Sequence, residues 1–256
     1  MEQLTNKRVI VTGALGGIGL PVINLLSESG AQLIAVDRRE DSEAIQLISR
    51  NVLNSGRYLK VELSNTHEIK KLIESIRQEK PNCLVALAGI VISGELVTQS
   101  EKSIREVIDI NLISQMELAK QVIQFWLDEK IPGNIVFVSS WVDHVPWPGI
   151  TPYAASKAGL VAVCRGIARE YARYGIRANV ISPGIVDVGM AAKQWREEPD
   201  YRARAARAIP LGRLQSPEEV AQGIAFLLSE KANYMTGSNL LIDGGASLYP
   251  MDPEEN

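Results

Sequence analysis

Cysteine, aromatic residues and excess positive charge are scarce in this sequence. Two cysteines among 256 residues cannot form a disulfide framework, which is typical of a reducing compartment, so we expect a cytoplasmic location. Lys and Arg number 27 against 30 Asp and Glu, and this balance disfavours nucleic acid and anionic membranes as partners. Aromatic residues make up 5%, but the hydrophobic fraction of 46% is that of an ordinary globular protein.

Long hydrophobic runs and metal-ligand clusters are missing as well. The longest largely apolar run covers residues 84–92, whereas a membrane-spanning helix needs about 18 residues or more. The N-terminus lacks the basic start and apolar region of a secretory signal. The spacing of His, Cys, Asp and Glu matches no metal site, so we expect no metal ion. We therefore expect one soluble domain over residues 1–256.

Runs rich in Val and Ile alternate with amphipathic stretches along the chain, without repeats or linkers. This alternation predicts repeated strand–helix units and a doubly wound, seven-stranded parallel α/β sheet flanked by helices. The predicted strands are residues 8–12, 32–36, 57–63, 83–87, 134–139, 177–182 and 239–242. The main predicted helices are residues 18–29, 69–79, 104–127, 153–174 and 218–228.

A glycine-rich turn follows the first predicted strand and leads directly into a helix. Residues 12–19 read Thr-Gly-Ala-Leu-Gly-Gly-Ile-Gly. Backbone N–H groups and the helix dipole at such a turn can bind a pyrophosphate. Gly13 allows the sharp turn, Gly17 leaves space beside the phosphates and Gly19 lets the helix pack on the strand. With Asp37 at the end of the second strand, this pattern predicts a dinucleotide site.

The residues at the end of the second strand bear on the choice of dinucleotide. The Asp37 carboxylate can accept hydrogen bonds from ribose hydroxyls and would repel a 2′-phosphate, which favours NAD over NADP. Arg38 and Arg39 follow directly, and either guanidinium can pair with a 2′-phosphate. NADP therefore stays open as the alternative cofactor.

Tyr153 and Lys157 are one helical turn apart, and Ser140 precedes them at the end of a predicted strand. A phenol is a poor proton carrier at neutral pH, because its ordinary pKa is about 10. A nearby ammonium and a cationic nicotinamide would stabilise the phenolate and lower this pKa. Ser140 can hydrogen bond a substrate oxygen and place it against Tyr153, while Lys157 can also bind the nicotinamide ribose.

Together these motifs resemble the short-chain dehydrogenase/reductase family, from the turn at residues 12–19 to the Asp-Gly-Gly at residues 243–245. The resemblance implies a single-domain Rossmann fold and a homotetramer. It implies an NAD(P)-dependent enzyme that moves a hydride between nicotinamide and a secondary alcohol or ketone. Ser140, Tyr153 and Lys157 correspond to the catalytic triad of the family. Asn111 corresponds to a fourth member, which interrupts a long helix so that a carbonyl holds a water in a proton relay to Lys157.

The motifs and the resemblance together indicate a set of cofactor-binding residues. The sequence departs from the family at three places. Ala86 and Leu87 replace two Asn residues that brace the sheet, Glu62 replaces an Asp beside adenine, and Val188 replaces a Thr that binds the nicotinamide amide. We expect the lost bracing to be supplied locally. The predicted set is Gly13, Leu15, Gly16, Gly17, Ile18, Gly19, Asp37, Arg38, Glu62, Leu63, Ala88, Gly89, Tyr153, Lys157, Pro183, Gly184, Ile185 and Val188.

Substrate choice is expected in the loop between Ser140 and Tyr153 and in a lid at about residues 188–214. The loop offers Trp141, His144 and Trp147 as candidate substrate contacts; packing within the loop or against a neighbouring subunit is the alternative. The Pro-Trp-Pro at residues 146–148 and the Ser-Leu-Tyr-Pro at residues 247–250 resemble the glucose 1-dehydrogenase branch. That resemblance implies a sugar or polyol as substrate.

Two other functions remain open. The lid is rich in basic residues, which suits reduction of a 3-oxoacyl group on an acidic acyl carrier protein. In reductases of that type, basic residues dock the carrier at positions that correspond to Ile131 and Tyr174, although Lys130 and Arg173 are adjacent. The second alternative is a non-catalytic dinucleotide-binding regulator on the same fold.

Overall fold

Seven short strands form one parallel sheet in the computed structural model, which describes residues 3–248. Their spatial order is β3-β2-β1-β4-β5-β6-β7, and it reverses between β1 and β4. At such a reversal a binding crevice opens beyond the carboxyl ends of the strands. The predicted fold class is confirmed. The strands are β1 (Arg8–Thr12), β2 (Gln32–Asp37), β3 (Gly56–Lys60), β4 (Cys83–Ala86), β5 (Asn134–Val138), β6 (Arg177–Pro183) and β7 (Asn239–Ile242).

Helices cover both faces of the sheet and bury two apolar layers. Val22 and Ile224 belong to the layer on one face, and Leu118 and Leu160 to the layer on the other; all four are fully buried. Because both faces are covered, the strands are apolar on both sides. The helices are α1 (Gly19–Glu28), α2 (Asp41–Leu47), α3 (Arg50–Ser55), α4 (Thr66–Ile76), α5 (Glu101–Ile108), α6 (Ser114–Glu129), α7 (Thr151–Tyr171), α8 (Gly189–Glu197), α9 (Pro199–Ala208) and α10 (Pro217–Leu228).

Several predicted bounds are shifted by one to three residues, and three predicted elements differ from the structure in a further respect. The strand predicted at residues 57–63 ends at Lys60, because the Glu62 N–H bonds the Glu68 side chain instead of a neighbouring strand. The helix predicted at residues 104–127 is divided by a π-helical turn at Asp109–Ile113. The helix predicted at residues 153–174 ends at Tyr171 and continues as one 3₁₀ turn.

The sequence pattern does not predict α2 and α3. Both are short, and the one described buried residue of α2 is Ala44, so no apolar stripe marks that helix. α10 starts at Pro217, one residue before the predicted start, and Ser216 and Glu219 form a reciprocal capping box there.

The loop after β4 is held by three side chains from other elements. The Thr12 hydroxyl accepts hydrogen bonds from the N–H groups of Leu87 and Ala88 at 3.1 and 3.3 Å. Gln115 Nε2 donates to the Ala88 carbonyl at 3.0 Å, and Asn111 binds the backbone of Ile90. These contacts provide the local bracing expected where two Asn residues are replaced.

Candidate active site

A cavity of about 660 Å³ lies at the carboxyl ends of the strands and gathers most of the predicted site residues. Four predicted residues are outside its lining, namely Leu15, Gly19, Asn111 and His144. The first three contact residues that do line it. The predicted residues that line it are Gly13, Gly16, Gly17, Ile18, Asp37, Arg38, Glu62, Leu63, Ala88, Gly89, Ser140, Trp141, Trp147, Tyr153, Lys157, Pro183, Gly184, Ile185 and Val188.

The glycine turn leaves bare backbone at the floor of this cavity. Gly13 has a φ of +65°, and a Cβ there would lie 2.9 Å from Ala88 Cα. A Cβ on Gly19 would lie 2.1 Å from the Gly13 carbonyl oxygen, so Gly19 is required for packing as predicted. At Gly17 the restriction has a different source. A Cβ there would lie 2.7 Å from Val188 Cβ, so a side chain of the protein itself limits Gly17.

Asp37 is tied to the glycine turn by hydrogen bonds. Its carboxylate accepts from the Leu15 N–H at 3.0 Å and from the Arg39 N–H at 3.3 Å. Arg39 Nη1 in turn donates to the Leu15 carbonyl at 3.1 Å. Arg38 is exposed at the rim of the cavity. The carboxylate is thus held beside the turn, at the position expected for a ribose-binding acid.

At the opposite end, a second turn is held by a residue that the sequence patterns do not single out. Gln215 Oε1 accepts from the Gly184 N–H at 3.0 Å, and the Gln215 N–H donates to the Ile185 carbonyl at 2.9 Å. A Cβ on Gly184 would lie 2.8 Å from Asp243 Cα. The two bare glycine turns and the Asp37 carboxylate beside the first of them fit an NAD(P) dinucleotide.

The three predicted catalytic side chains meet at the centre of the cavity. Ser140 follows β5, while Tyr153 and Lys157 are on the first turns of α7. Lys157 is 4% exposed, its Nζ donates to the Val138 carbonyl at 2.8 Å, and it lies 5.5 Å from the centre of the Tyr153 ring. A hydroxyl, a phenol and an ammonium therefore share one buried pocket.

Burial changes the pKa values of Tyr153 and Lys157. Burial raises the pKa of Tyr153 to about 12; the Ser140 hydroxyl lowers it and Asp143 raises it further. Burial also lowers the pKa of Lys157 to about 8, against the charge of Asp143. The expectation that the Lys157 ammonium and a cationic nicotinamide together lower the pKa of Tyr153 concerns the complex with the cofactor, and it stays a prediction.

Asn111 lies in the π-helical turn and is fully buried. Its Oδ1 accepts from the Ile90 N–H at 2.8 Å, and its Nδ2 donates to the Ile90 carbonyl at 2.8 Å and to Ser156 Oγ at 3.2 Å. The expected interruption of the long helix at Asn111 is present. The side chain joins the loop after β4 to α7, which carries Tyr153 and Lys157.

A buried carboxylate beside Ser140 was not among the predicted site residues. The Asp143 side chain is 2% exposed and contacts His144 Nδ1. Its Oδ2 lies 3.0 Å from Ser139 Oγ and accepts from Ser182 Oγ at 2.6 Å and Asn239 Nδ2 at 3.1 Å. Asp143 therefore anchors the segment after Ser140 to β6 and β7. No local pattern reveals this, since its partners are distant in sequence.

Aromatic rings form one wall of the cavity. Trp147 packs edge-on against Trp141, with ring centres 5.5 Å apart, and against Tyr201 of α9 at 6.5 Å. Trp141 and Trp147 thus line the cavity, and their contact with a substrate stays a prediction. His144 is directed to Asp143 and is not part of the lining, so its position does not support a substrate contact.

Two further features are absent from the residues that the structure describes. Within residues 3–248 no helix is long and apolar enough to cross a membrane. The same part of the chain contains no group of three or more His, Cys, Asp or Glu able to hold a metal ion.

Known proteins resemble this chain over nearly its whole length. A family model described as enoyl-(acyl carrier protein) reductase matches residues 13–247. The 3beta-hydroxysteroid dehydrogenase 1 of Eggerthella lenta is 33% identical over 254 residues, which are 97% of this chain and 97% of that protein. The 3-oxoacyl-[acyl-carrier-protein] reductase FabG of Thermotoga maritima is 34% identical over 246 residues, or 95% and 98% of the two chains. The chain belongs to the short-chain dehydrogenase/reductase family.

Solved structures of this family agree with the fold. A 4-hydroxyisoleucine dehydrogenase complexed with NADH has a TM-score of 0.87 and 27% identity, covering 95% of this chain and all of that one (100%). A structure from Agrobacterium tumefaciens with bound NADP has a TM-score of 0.88 and 26% identity over 96% and 98% of the two chains. This short-chain dehydrogenase/reductase is therefore an NAD(P)-dependent oxidoreductase acting on CH–OH or carbonyl groups of small molecules.

Proposed function

We propose that Tyr153 passes the proton in this oxidoreductase, that Ser140 orients the substrate oxygen, and that Lys157 and Asn111 support them. The observation that carries this proposal is the meeting of Ser140, Tyr153 and Lys157 in the cavity that also holds the glycine turn. A bound nicotinamide supplies the hydride acceptor or donor. The side chains then have only to transfer the proton and to orient the substrate.

Each side chain has a separate task in this proposal. The Ser140 hydroxyl hydrogen bonds the substrate oxygen and holds it beside the Tyr153 phenol. Burial keeps Tyr153 protonated in the protein alone, so it is ready to donate a proton during carbonyl reduction. Alcohol oxidation needs the phenolate, which requires added positive charge near Tyr153. The Lys157 ammonium and a cationic nicotinamide are the sources of that charge.

Asn111 is proposed to maintain a proton path to Lys157. Its side chain is committed to Ile90 and Ser156, so it fixes the π-helical turn rather than carrying a proton itself. A π-helical turn leaves backbone carbonyls free to bind water. The proposed relay runs through such a water at this turn to Lys157 and then to Tyr153.

NAD is the proposed cofactor, with NADP as the alternative. The Asp37 carboxylate beside the glycine turn supports NAD, because it would repel a 2′-phosphate. Arg39 is directed to the Leu15 carbonyl, which leaves Arg38 as the residue best placed to pair with a 2′-phosphate. Parallel kcat/KM measurements with the two cofactors test this proposal.

Replacement of Tyr153 by Phe tests the proposed chemistry. We expect Tyr153→Phe to lose about 100-fold or more of kcat with NAD(H) affinity unchanged, since it removes only the acid/base hydroxyl. Tyr171→Phe makes the same chemical change on the same helix outside the cavity lining, so it should retain full turnover. Unchanged turnover in Tyr153→Phe would contradict the mechanism, and it would be the result expected of a dinucleotide-binding regulator.

A secondary alcohol or ketone is the proposed substrate, with a sugar or polyol as one form of it. The aromatic wall of Trp141 and Trp147 supports a ring-shaped or apolar substrate surface. The relatives are named for a steroid, an acyl thioester and an amino acid, so their names do not indicate a single substrate class. Sugars and small secondary alcohols with NAD, followed by nicotinamide absorbance, are the first assay.

Reduction of a 3-oxoacyl thioester is the second candidate function. The similarity to FabG of Thermotoga maritima favours it. Against it, Ile131 and Tyr174 are at the positions where basic residues dock the carrier in reductases of this type. Basic residues are adjacent to both positions, however: Lys130 is exposed beside Ile131, and Arg173 lies 4.8 Å from the centre of the Tyr174 ring. Turnover of only a 3-oxoacyl thioester with NADPH would favour this candidate over an NAD-dependent alcohol dehydrogenase.

Assembly, location and the lid are further parts of the proposal. We propose a homotetramer in the cytoplasm, with residues 188–214 as a substrate lid on one domain that spans residues 1–256. In support, Leu241 of the edge strand β7 and Ile113 beside α6 are 38% and 47% exposed, which suits burial between subunits. Residues 249 and 250, part of the glucose dehydrogenase resemblance, lie outside the described residues. Light scattering at several protein concentrations measures the assembly.

A further inference from the structure

One cation of the segment 188–214, Arg204, lines the cavity but makes no hydrogen bond or ion pair among the residues that the structure describes. No hydrogen bond or ion pair joins the Arg204 guanidinium to another residue of the range 3–248, and its Nε is a buried nitrogen without an acceptor. Other cations of this segment are paired. Arg196 lies 3.0 Å from Asp187, and Arg213 lies 2.7 Å from Glu219. A buried donor left without an acceptor carries a desolvation cost.

Aromatic rings hold Arg204 in place. Its guanidinium carbon lies 5.0 Å from the centre of the Trp147 ring and 5.9 Å from that of Tyr201. Such contacts stabilise the charge but provide no hydrogen-bond acceptor in the guanidinium plane. The edge of a guanidinium presents paired N–H donors that match the two oxygens of a carboxylate. Arg204 is therefore a cation that is held in place by aromatic rings and whose Nε lacks a hydrogen-bond acceptor.

Arg204 lines the same cavity as Ser140 and Tyr153. The acidic residues among the lining are Asp37 and Glu62, both at the adenosine end, where Asp37 is already engaged by Leu15 and Arg39. The rest of the wall near the aromatic cluster is mainly apolar. It includes Val91, Pro148, Ile150, Met190 and Ala191.

We propose that Arg204 is a specificity residue that binds a carboxylate of the substrate. The substrate is then a hydroxy or oxo acid whose apolar body lies against Trp147 and whose alcohol or ketone carbon reaches Tyr153. This inference rests on the proposed function and narrows its substrate class. In this proposal Arg204 has a role other than exposure to solvent or docking of an acyl carrier protein.

Equilibrium binding tests the inference without any need for turnover. The probes are octanoate and octanamide, which have the same length and a planar head group but differ in charge. Calorimetry is carried out on the protein saturated with NADH. We expect octanoate to bind the unaltered protein about 10-fold tighter than octanamide, because a charge-assisted pair to Arg204 replaces a neutral hydrogen bond.

Three variants separate the carboxylate site from general effects. Arg204→Met removes the charge at similar length, so octanoate and octanamide should bind with equal affinity. Arg204→Lys keeps the charge without the planar fork and should retain part of the preference. Arg202→Met is the matched control, since Arg202 is an exposed cation of the same helix outside the cavity, and it should keep the full preference. NADH affinity verifies that each variant is folded.

Several outcomes would overturn the inference. These are equal binding of the two probes by the unaltered protein, no measurable binding of octanoate, and a preference that survives in Arg204→Met. Failure of the proposed function has a different signature, namely unchanged turnover in Tyr153→Phe. Once a substrate acid is turned over, its methyl ester provides the kinetic counterpart: the ratio of kcat/KM for acid and ester should fall about 10-fold in Arg204→Met and not in Arg202→Met.

Discussion

Replacement of Asn111 by Ala should lower the free energy of unfolding by far more than the small change in side-chain size suggests. In the structure the Asn111 amide is fully buried and makes two 2.8 Å hydrogen bonds to the backbone of Ile90, one to its N–H and one to its carbonyl. Ala leaves both backbone groups without partners. It also removes the link from the loop after β4 to Ser156 of α7.

The magnitude follows from those two groups. An unsatisfied buried backbone donor or acceptor costs about 1–3 kcal/mol, so the pair predicts a loss of about 2–4 kcal/mol when part of the cost is relieved by water entering the space. Ser114→Ala is the matched control in the adjacent helix. Ser114 Oγ donates to the Ile110 carbonyl at 2.7 Å, but Gln115 Nε2 also reaches that carbonyl at 3.2 Å. We therefore expect Ser114→Ala to cost about 1 kcal/mol or less.

Urea unfolding followed by circular dichroism measures both variants at one protein concentration. The two substitutions alter the same stretch of helix, so the difference between their free energies of unfolding isolates the contacts to Ile90. A difference below about 0.5 kcal/mol would refute the reasoning. It would mean that the loop after β4 is held without Asn111.

Three other predictions concern the cofactor site and the buried lysine. The contribution of Lys157 to the free energy of unfolding should rise with pH between pH 8 and pH 10.5, because the folded protein holds the pKa of Lys157 at about 8 while the unfolded chain, with an ordinary pKa of 10.5, still binds the proton. Buried Cys83 and Cys164 contribute in the opposite direction, because burial raises their pKa values to about 12, so the readout is the difference in urea unfolding between the unaltered protein and Lys157→Met across this range. Gly17→Ala should weaken NADH binding, since its Cβ would lie 2.7 Å from Val188 Cβ; fluorescence titration of the double variant with Val188→Ala should show recovery, and no recovery would place the clash elsewhere. Asp37→Ala should lower the ratio of kcat/KM for NAD over NADP about 10-fold, and an unchanged ratio would remove Asp37 as the selector.

The fold and the central part of the site follow from local patterns in the sequence. Apolar runs on both faces indicate covered parallel strands, and the predicted bounds of β1 and β7 agree with the structure. Glycines at a strand-to-helix turn and a Tyr and Lys one helical turn apart are equally local. These features can be recognised in the sequence because each depends only on residues that are close together in the chain.

The tertiary structure decides how the site is supported and charged. Asp143 depends on Ser182 and Asn239 from two other strands, and Gln215 reaches the turn at Gly184 from a distant loop. The pKa of Tyr153 is raised by burial, which depends on every element around the phenol. No pattern in the sequence of residues 188–214 distinguishes Arg204 from the other cations of that segment.

Sequence alone therefore determined the strands, the glycine turn and the candidate catalytic side chains, because each is encoded by a short stretch of chain. Only the folded structure decided which cations are paired, which carboxylate anchors the segment after Ser140, and that Val188 restricts Gly17. These properties come from contacts between residues far apart in the chain. Their distances and burial exist only once the sheet and its helices have been assembled.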